Sequence, residues 1–284
     1  MIKLGIIGYP LEHSLSPVMH NAALKEIGIE GSYVPLETYP QNLAEKICFL
    51  KENGFRGFNV TIPHKIAVMQ YLDTIDDFAK VVGAVNTVVI DKDKKLYGYN
   101  TDVYGFVQAI PTVLKENIKN KKAAVIGSGG AARAVMTGLN QLGIKEISIF
   151  ARNQENSQKL KEIILKNFPH INIICLFLEE NADLSEFSVV VNTTPLGMYG
   201  KNERISPLSK NSLATLPENA LVYDIVYKPE KTKLLEYAEQ RDLITLNGLE
   251  MLILQGAKSF ELWIGQTPTL EVMRNALIQN IYRL

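Results

Sequence analysis

Residues 122–132 constrain the fold most. Lys122-Ala123-Ala124-Val125-Ile126 is a short apolar run, Gly127-Ser128-Gly129-Gly130-Ala131-Ala132 follows without a break, and residues 133–142 carry a helical pattern that stops at Gly143. A strand that passes through GxGxxA into a helix is the context in which this glycine pattern binds a dinucleotide. Gly127 permits the tight turn, Gly129 lets a pyrophosphate approach the backbone, and Ala132 allows close helix packing, with the helix N-terminus facing the anion. The alternative is a glycine turn with a purely structural role. The next strand, 146–150, runs into Ala151-Arg152-Asn153, where an NAD-binding chain would place an acid on the ribose hydroxyls. No carboxylate stands there to repel a ribose phosphate, and Arg152 can bond one bidentately, so NADP is expected over NAD. A solvated arginine would leave that preference open.

Downstream, the pattern gives a helix over 154–167, strands over 172–177, 188–192 and 220–225, a helix over 230–241 and a strand over 243–246. In open parallel sheets ligands bind beyond the carboxyl ends of strands, which puts Thr193-Thr194-Pro195-Leu196-Gly197-Met198 and Asp224-Ile225-Val226-Tyr227-Lys228-Pro229 at the rim. Upstream, strands over 2–7, 32–36 and 56–61 alternate with helices over 16–27 and 43–53, so a second mostly parallel sheet covered by helices is expected. A helix over 65–82, interrupted near Asp73 and Thr74, precedes a hairpin of strands 83–91 and 96–100 across the exposed turn Lys92-Asp93-Lys94-Lys95. Asn86 lies within the first hairpin strand, and Asp102 opens a helix after the second. Asn247-Gly248 precedes helices over 249–264 and 269–282, the former with Leu252, Gln255, Ser259 and Leu262 on one face, which makes Gln255 polar on a largely apolar stripe. With 284 residues, the chain is expected to form two α/β domains, one from 1–101 and 247–284 and one from 102–246.

The 30 basic and 30 acidic side chains cancel, which argues against nucleic-acid binding. Cys48, on the apolar side of the 43–53 helix, and Cys175 give no disulfide framework. His13, His20, His64 and His170 lack metal-site spacing and are expected to be satisfied or solvated. The apolar N-terminus is cut by Gly8, Pro10 and Glu12, too short for a signal core or membrane span, so a cytoplasmic location is expected.

Phe58-Asn59-Val60-Thr61-Ile62-Pro63-His64-Lys65 reads as a strand end stopped by Pro63, which lacks a donor and biases Ile62 to extended backbone. Lys65 then opens a helix, either as a solvated charge or as a group with chemistry to do. Ser16 before Pro17 is a good N-cap. Ser14, two residues earlier, is not explained by capping, and two hydroxyls beside a helix N-terminus suit an anion such as a carboxylate as well as a plain loop.

Ser14-Leu15-Ser16-Pro17, the 59–65 stretch, Gly83-Ala84-Val85-Asn86-Thr87, Gly98-Tyr99-Asn100-Thr101-Asp102, GSGGAA at 127–132, Thr194-Pro195-Leu196-Gly197-Met198 and Gln255 together resemble the shikimate dehydrogenase family over nearly the whole chain. The resemblance implies a substrate domain made of both chain ends with an inserted Rossmann domain, a cleft between them, and NADPH-dependent reduction of 3-dehydroshikimate to shikimate in aromatic amino acid biosynthesis. It implies that Ser14 and Ser16, with Tyr227, hold the substrate carboxylate, that Thr61, Lys65, Asn86, Asp102 and Gln255 bind ring hydroxyls, and that Lys65 and Asp102 are the catalytic pair. Cofactor contacts would come from Gly127, Ser128, Gly129, Gly130 and Ala131, from Ala151, Arg152 and Asn153, from Thr193, Thr194, Pro195 and Met198, and from Ile225 and Gly248. Monomer or homodimer is expected. A neighbouring ammonium can stabilise a nascent alkoxide and donate a proton, which suits Lys65 to be the acid in reduction. Two positions depart from the family: Ala151-Arg152-Asn153 replaces Asn-Arg-Thr, with Asn156 where a second basic residue is common, and Asn247-Gly248 replaces Asp-Gly. The alternatives are a quinate/shikimate dehydrogenase with looser cofactor preference, against which Ser16 argues, a folate dehydrogenase of similar plan, which has no need of the paired serines, and a non-catalytic NADP-binding regulator, which would be expected to lack Lys65 or Asp102.

Overall fold

The computed structural model describes residues 1–179 and 181–281, which form two compact units, 1–105 with 253–281 and 106–252. In the first unit β1 (Ile2–Gly8) leads to α1 (Ser16–Glu26), β2 (Gly31–Glu37), α2 (Leu43–Glu52) and β3 (Phe55–Val60). A short 3-10 segment, Ala67–Tyr71, then precedes β4 (Thr74–Ile75), α3 (Asp77–Val82), β5 (Thr87–Ile90), β6 (Leu96–Tyr99) and α4 (Asp102–Ala109), within which the chain leaves the unit. The sheet order is β2-β1-β3-β5-β6-β4. Parallel pairing at β2-β1-β3 and β4-β6 flanks the antiparallel β5, so the expected alternation and hairpin both form. One apolar face gathers Leu50, Phe58, Val68 and Val88. Each such fully buried large side chain contributes on the order of 2–3 kcal/mol.

Four local expectations for this unit fail. Ser16 is the first residue of α1 and not its cap: Leu15 precedes it in helical backbone without a side-chain cap bond, and Ser16 is buried. Lys65 lies in a turn, because β4 pairs with β6 and draws 74–75 out of any helix, and because Asp76 caps the one true helix here by accepting from Phe78 N and Ala79 N. Asn86 precedes β5 instead of lying in it, since Gly83, with φ +70°, closes α3 and 84–86 remain loop. Cys48 is exposed; the buried stripe of α2 is Leu43, Ile47 and Leu50.

The second unit contains α5 (Thr112–Ile118), β7 (Lys122–Ile126), α6 (Gly130–Gln141), β8 (Glu146–Ala151), α7 (Gln154–Asn167), β9 (Asn172–Phe177), β10 (Val189–Asn192), α8 (Lys210–Ala214), β11 (Leu221–Asp224), α9 (Lys233–Glu239) and β12 (Ile244–Leu246). Its sheet is parallel throughout in the order β12-β11-β10-β7-β8-β9, the doubly wound arrangement whose order reverses between β7 and β10. The strands are apolar on both faces: Val125 and Val191 belong to one core, Ala124 and Val190 to the other. α5 and α8 are short elements without a strong periodic signal, and α9 starts at Lys233 because Thr232 caps it. α10 (Leu249–Ile264) returns the chain to the first unit and α11 (Leu270–Ile281) ends it; Tyr282, the expected last helical residue, lies outside the described residues. On α10 Ile253, Ser259, Phe260 and Trp263 are deeply buried, while Leu252 and Leu262 are half-buried, so the buried Gln255 and Ser259 border the apolar stripe instead of interrupting it. Among the described residues no helix is long and apolar enough to cross a membrane, and no group of three His, Cys, Asp or Glu could hold a metal ion.

Candidate functional site

In the first unit, Lys65 Nζ donates to Asp102 Oδ2 at 2.6 Å, with side chains 15% and 8% exposed. The Lys65 loop is pinned by Val85 N–H to the Lys65 carbonyl at 2.8 Å, so the segment that leads to Asn86 also positions the lysine. Asp102 opens α4, whose start is held by Asn100 Oδ1, which accepts from Asp102 N and Val103 N. Asn86 Nδ2 donates to Asp102 Oδ1 at 2.9 Å, and lies 3.3 Å from Gln255 Oε1. Four of the expected site residues, Lys65, Asn86, Asp102 and Gln255, are therefore joined in one hydrogen-bonded cluster. Lys65 to Asp102 is an ammonium–carboxylate contact in a largely enclosed setting, where a charge-assisted bond is short and strong.

Beside the buried Ser16, Tyr33 is fully enclosed; burial raises its phenol well above the ordinary pKa, and its hydroxyl donates to Asn59 Oδ1 at 2.8 Å. Ser14 and Thr61 lie in the flanking loops, both half-buried; Ser14 N–H bonds Leu11 O and Thr61 N–H bonds Ile7 O. Asn59, Thr87, Thr101 and Ser259, which sequence reasoning did not single out for chemistry, form the buried polar floor of the cluster. Their signal was present, since three of them lie inside the quoted motifs and Ser259 shares a helix face with Gln255.

In the second unit the glycine turn meets the end of β10 at the point where strand order reverses. Gly127 has φ +105°, and a Cβ there would sit 2.7 Å from Thr193 Oγ1, so glycine is required on both counts. Gly129 precedes α6 with open space about its Cβ position. The first turn of α6, which includes Gly130 and Ala131, has no side-chain cap and no acidic residue, and its N–H groups suit a phosphate. Ser128 is half-buried in the same turn. Thr193 Oγ1 donates to Ile126 O at 2.7 Å, Thr194 is held by Asn192 Oδ1, and Met198 N–H bonds the Pro195 carbonyl. The buried Asp224 fastens this rim: Oδ1 accepts from Asn192 Nδ2 and Val226 N, and Oδ2 from Thr232 Oγ1 at 2.6 Å. Burial pushes its carboxyl up to about 6, against the pull of those three donors. Ile225 and Tyr227 leave β11 half-buried, and a Cβ at Gly248 would overlap the Ile225 carbonyl oxygen. Arg152 is exposed directly after β8, while Ala151 belongs to the core and the Asn153 side chain caps α7 through Asn156 N–H.

Residues 6–88 match the family model for the shikimate dehydrogenase substrate binding domain, 111–213 that for shikimate / quinate 5-dehydrogenase, and 248–278 that for the shikimate 5'-dehydrogenase C-terminal domain. Shikimate dehydrogenase (NADP(+)) of Bacillus cereus strain B4264 is 40% identical over 278 residues, 98% of each chain. Shikimate 5-dehydrogenase of Thermus thermophilus, solved in complex with NADP(H) and shikimate, has a TM-score of 0.82 at 34% identity and covers 98% of this chain and 99% of its own. Quinate dehydrogenase of Corynebacterium glutamicum, solved with NAD, has a TM-score of 0.88 at 30% identity with the same coverage. With family models falling on both units and a curated relative aligned almost end to end, the chain belongs to the shikimate dehydrogenase family.

Proposed function

We propose that the protein is an NADP-dependent shikimate dehydrogenase that interconverts 3-dehydroshikimate and shikimate, with Lys65 and Asp102 as its catalytic pair. The observation that carries this reading is the 2.6 Å contact of an enclosed lysine with an enclosed aspartate, backed by Asn86 and Gln255. Ser14, Ser16 and Tyr227 bind the substrate carboxylate, and Thr61, Asn86 and Gln255 bind ring hydroxyls. NADP is held through Gly127 to Ala131, Ala151 to Asn153, the 193–198 rim, Ile225 and Gly248. When bound, NADP supplies or accepts the hydride. In reduction Lys65 donates a proton to the carbonyl oxygen as it becomes an alkoxide, and Asp102 keeps the ammonium oriented. In oxidation the same proton returns to Lys65. The enzyme works in the cytoplasm as a monomer or homodimer.

Initial rates with shikimate or quinate, each with NADP or NAD at mildly alkaline pH, test the reading. Shikimate with NADP should be fastest; comparable rates with quinate or NAD would move the protein towards the quinate dehydrogenase side of the family, and no rate from folded protein would leave a binding protein. Arg152→Ala should raise KM for NADP about tenfold or more, the loss of one charge-assisted phosphate contact, with little change for NAD. An equal loss with both cofactors would make Arg152 structural.

A further inference from the structure

Asn86 lies in a closed ring of hydrogen bonds. Its Nδ2 donates to Thr101 Oγ1 at 2.8 Å, Thr101 Oγ1 lies 3.0 Å from Ser259 Oγ, Ser259 Oγ lies 2.7 Å from Thr87 Oγ1, and Thr87 Oγ1 donates to Asn86 Oδ1 at 3.0 Å. Each hydroxyl has one hydrogen to give, so the four contacts can run in one direction, from the Asn86 amine round to the Asn86 carbonyl. Ser259 can also donate to the Gln255 carbonyl one turn back on α10, at 2.9 Å; its single hydrogen serves either that oxygen or Thr87 Oγ1, and the ring is closed when it goes to Thr87, the shorter contact at 2.7 Å. Asn59 Nδ2 feeds the ring from outside, within 3.2 Å of Thr87 Oγ1, 3.1 Å of Ser259 Oγ and 3.0 Å of the Asn86 backbone carbonyl. Thr101 N–H donates to Asn86 Oδ1 at 2.8 Å, and a backbone N–H cannot reverse its role. The carboxamide is thus held in one orientation, which leaves its second N–H for Asp102 Oδ1 at 2.9 Å, shared with the more distant Gln255 Oε1 at 3.3 Å. Thr87 and Ser259 are fully buried, and Asn86 and Thr101 are 2% exposed. A ring of this kind is cooperative: each bond polarises the next, and opening one link weakens the others.

We propose that Ser259 and Thr87 are positioning residues for the reaction, acting through the Asn86 carboxamide to hold Asp102 in the rotamer that faces Lys65. The proposal rests on the Lys65–Asp102 reading of the site. Neither hydroxyl is assigned a contact with substrate or cofactor. On α10, alanine at 259 keeps the helix and removes one buried hydroxyl; valine at 87 keeps the shape of threonine in β5.

The test compares steady-state rates of shikimate oxidation for Ser259→Ala, Thr87→Val, the double variant and Lys65→Ala, with thermal unfolding of each. Ser259→Ala and Thr87→Val should each lower kcat about 5–10-fold, with KM for NADP within about twofold of the parent and unfolding midpoints within a few degrees. The double variant should be no slower than the slower single one, because a ring already open cannot be opened again. Lys65→Ala should be far slower than all three. Full kcat in both single variants beside an inactive Lys65→Ala would overturn the positioning role while leaving the site reading intact. Loss of kcat in step with loss of stability, or multiplicative effects in the double variant, would overturn it as well, since independent structural defects behave that way. Near-normal turnover of Lys65→Ala would remove the catalytic pair and the proposal with it. If one single variant does not fold, the other opens the same ring at a different link and decides the question alone.

Discussion

Lys65→Ala is expected to lower shikimate turnover by at least about 100-fold, the effect of losing one group that both donates a proton and stabilises a nascent alkoxide. NADP affinity should be unchanged, since the glycine turn and Arg152 belong to the other unit. The substitution leaves the Asp102 carboxylate, 8% exposed in its side chain, bonded by Asn86 but without its ammonium partner, and an unpaired enclosed carboxylate is costly. Some loss of stability should therefore accompany the loss of rate, and circular dichroism with equilibrium NADP titration separates the two. Near-normal turnover of the folded variant would take Lys65 out of the mechanism.

The other large effect concerns stability in acid. His20, one helical turn beyond Ser16 on α1, is fully buried, stacked on Tyr33 at 4.4 Å and packed against Phe260 and Trp263. Among the described residues neither ring nitrogen has a hydrogen-bond partner, and burial pushes the imidazole down to about 3, against a weaker pull from the Asn59 side chain. In the unfolded chain the same ring titrates near its ordinary value of about 6.5. Between those values the unfolded state takes up a proton that the folded state refuses, so stability is lost as pH falls, by about 3 kcal/mol at pH 4 from this residue alone. His20→Phe keeps the aromatic stack and removes both unpartnered nitrogens. Its denaturant unfolding free energy should equal or exceed that of the parent at pH 7, and its advantage should grow by about that amount at pH 4. A constant difference between the two proteins across this range would show that His20 does not titrate between the folded and unfolded states in this way.

The contrast between Ser16 and Lys65 shows how far the sequence carries. Local rules make Ser16 a helix cap and Lys65 the opening of a helix, and neither holds: Ser16 is the buried first residue of α1 with no side-chain cap bond before it, and Lys65 lies in a turn held by Val85. Capping preference and apolar spacing are local quantities. The competing forces, pairing of β4 with β6 and the cap supplied by Asp76, come from residues that local spacing does not weigh against them. His20 is a similar case, because nothing near it in sequence foretells three aromatic neighbours from β2 and α10.

The sequence by itself determined the alternation of strands and helices, the glycine turn between β7 and α6, and the identity of the charged and hydroxyl groups available for chemistry. These follow from short-range causes: periodicity of burial, the freedom of glycine, and the ring of proline. The meeting of Lys65, Asn86, Asp102 and Gln255 was expected only through family resemblance, and tertiary structure alone decided that Thr87, Thr101 and Ser259 close a ring behind them and that Asp224 ties two strand ends together. The physical reason is that hydrogen bonds act over about 3 Å, whereas these partners stand as far as 172 residues apart along the chain, so packing of strands and helices had to bring them within reach before their chemistry could be read.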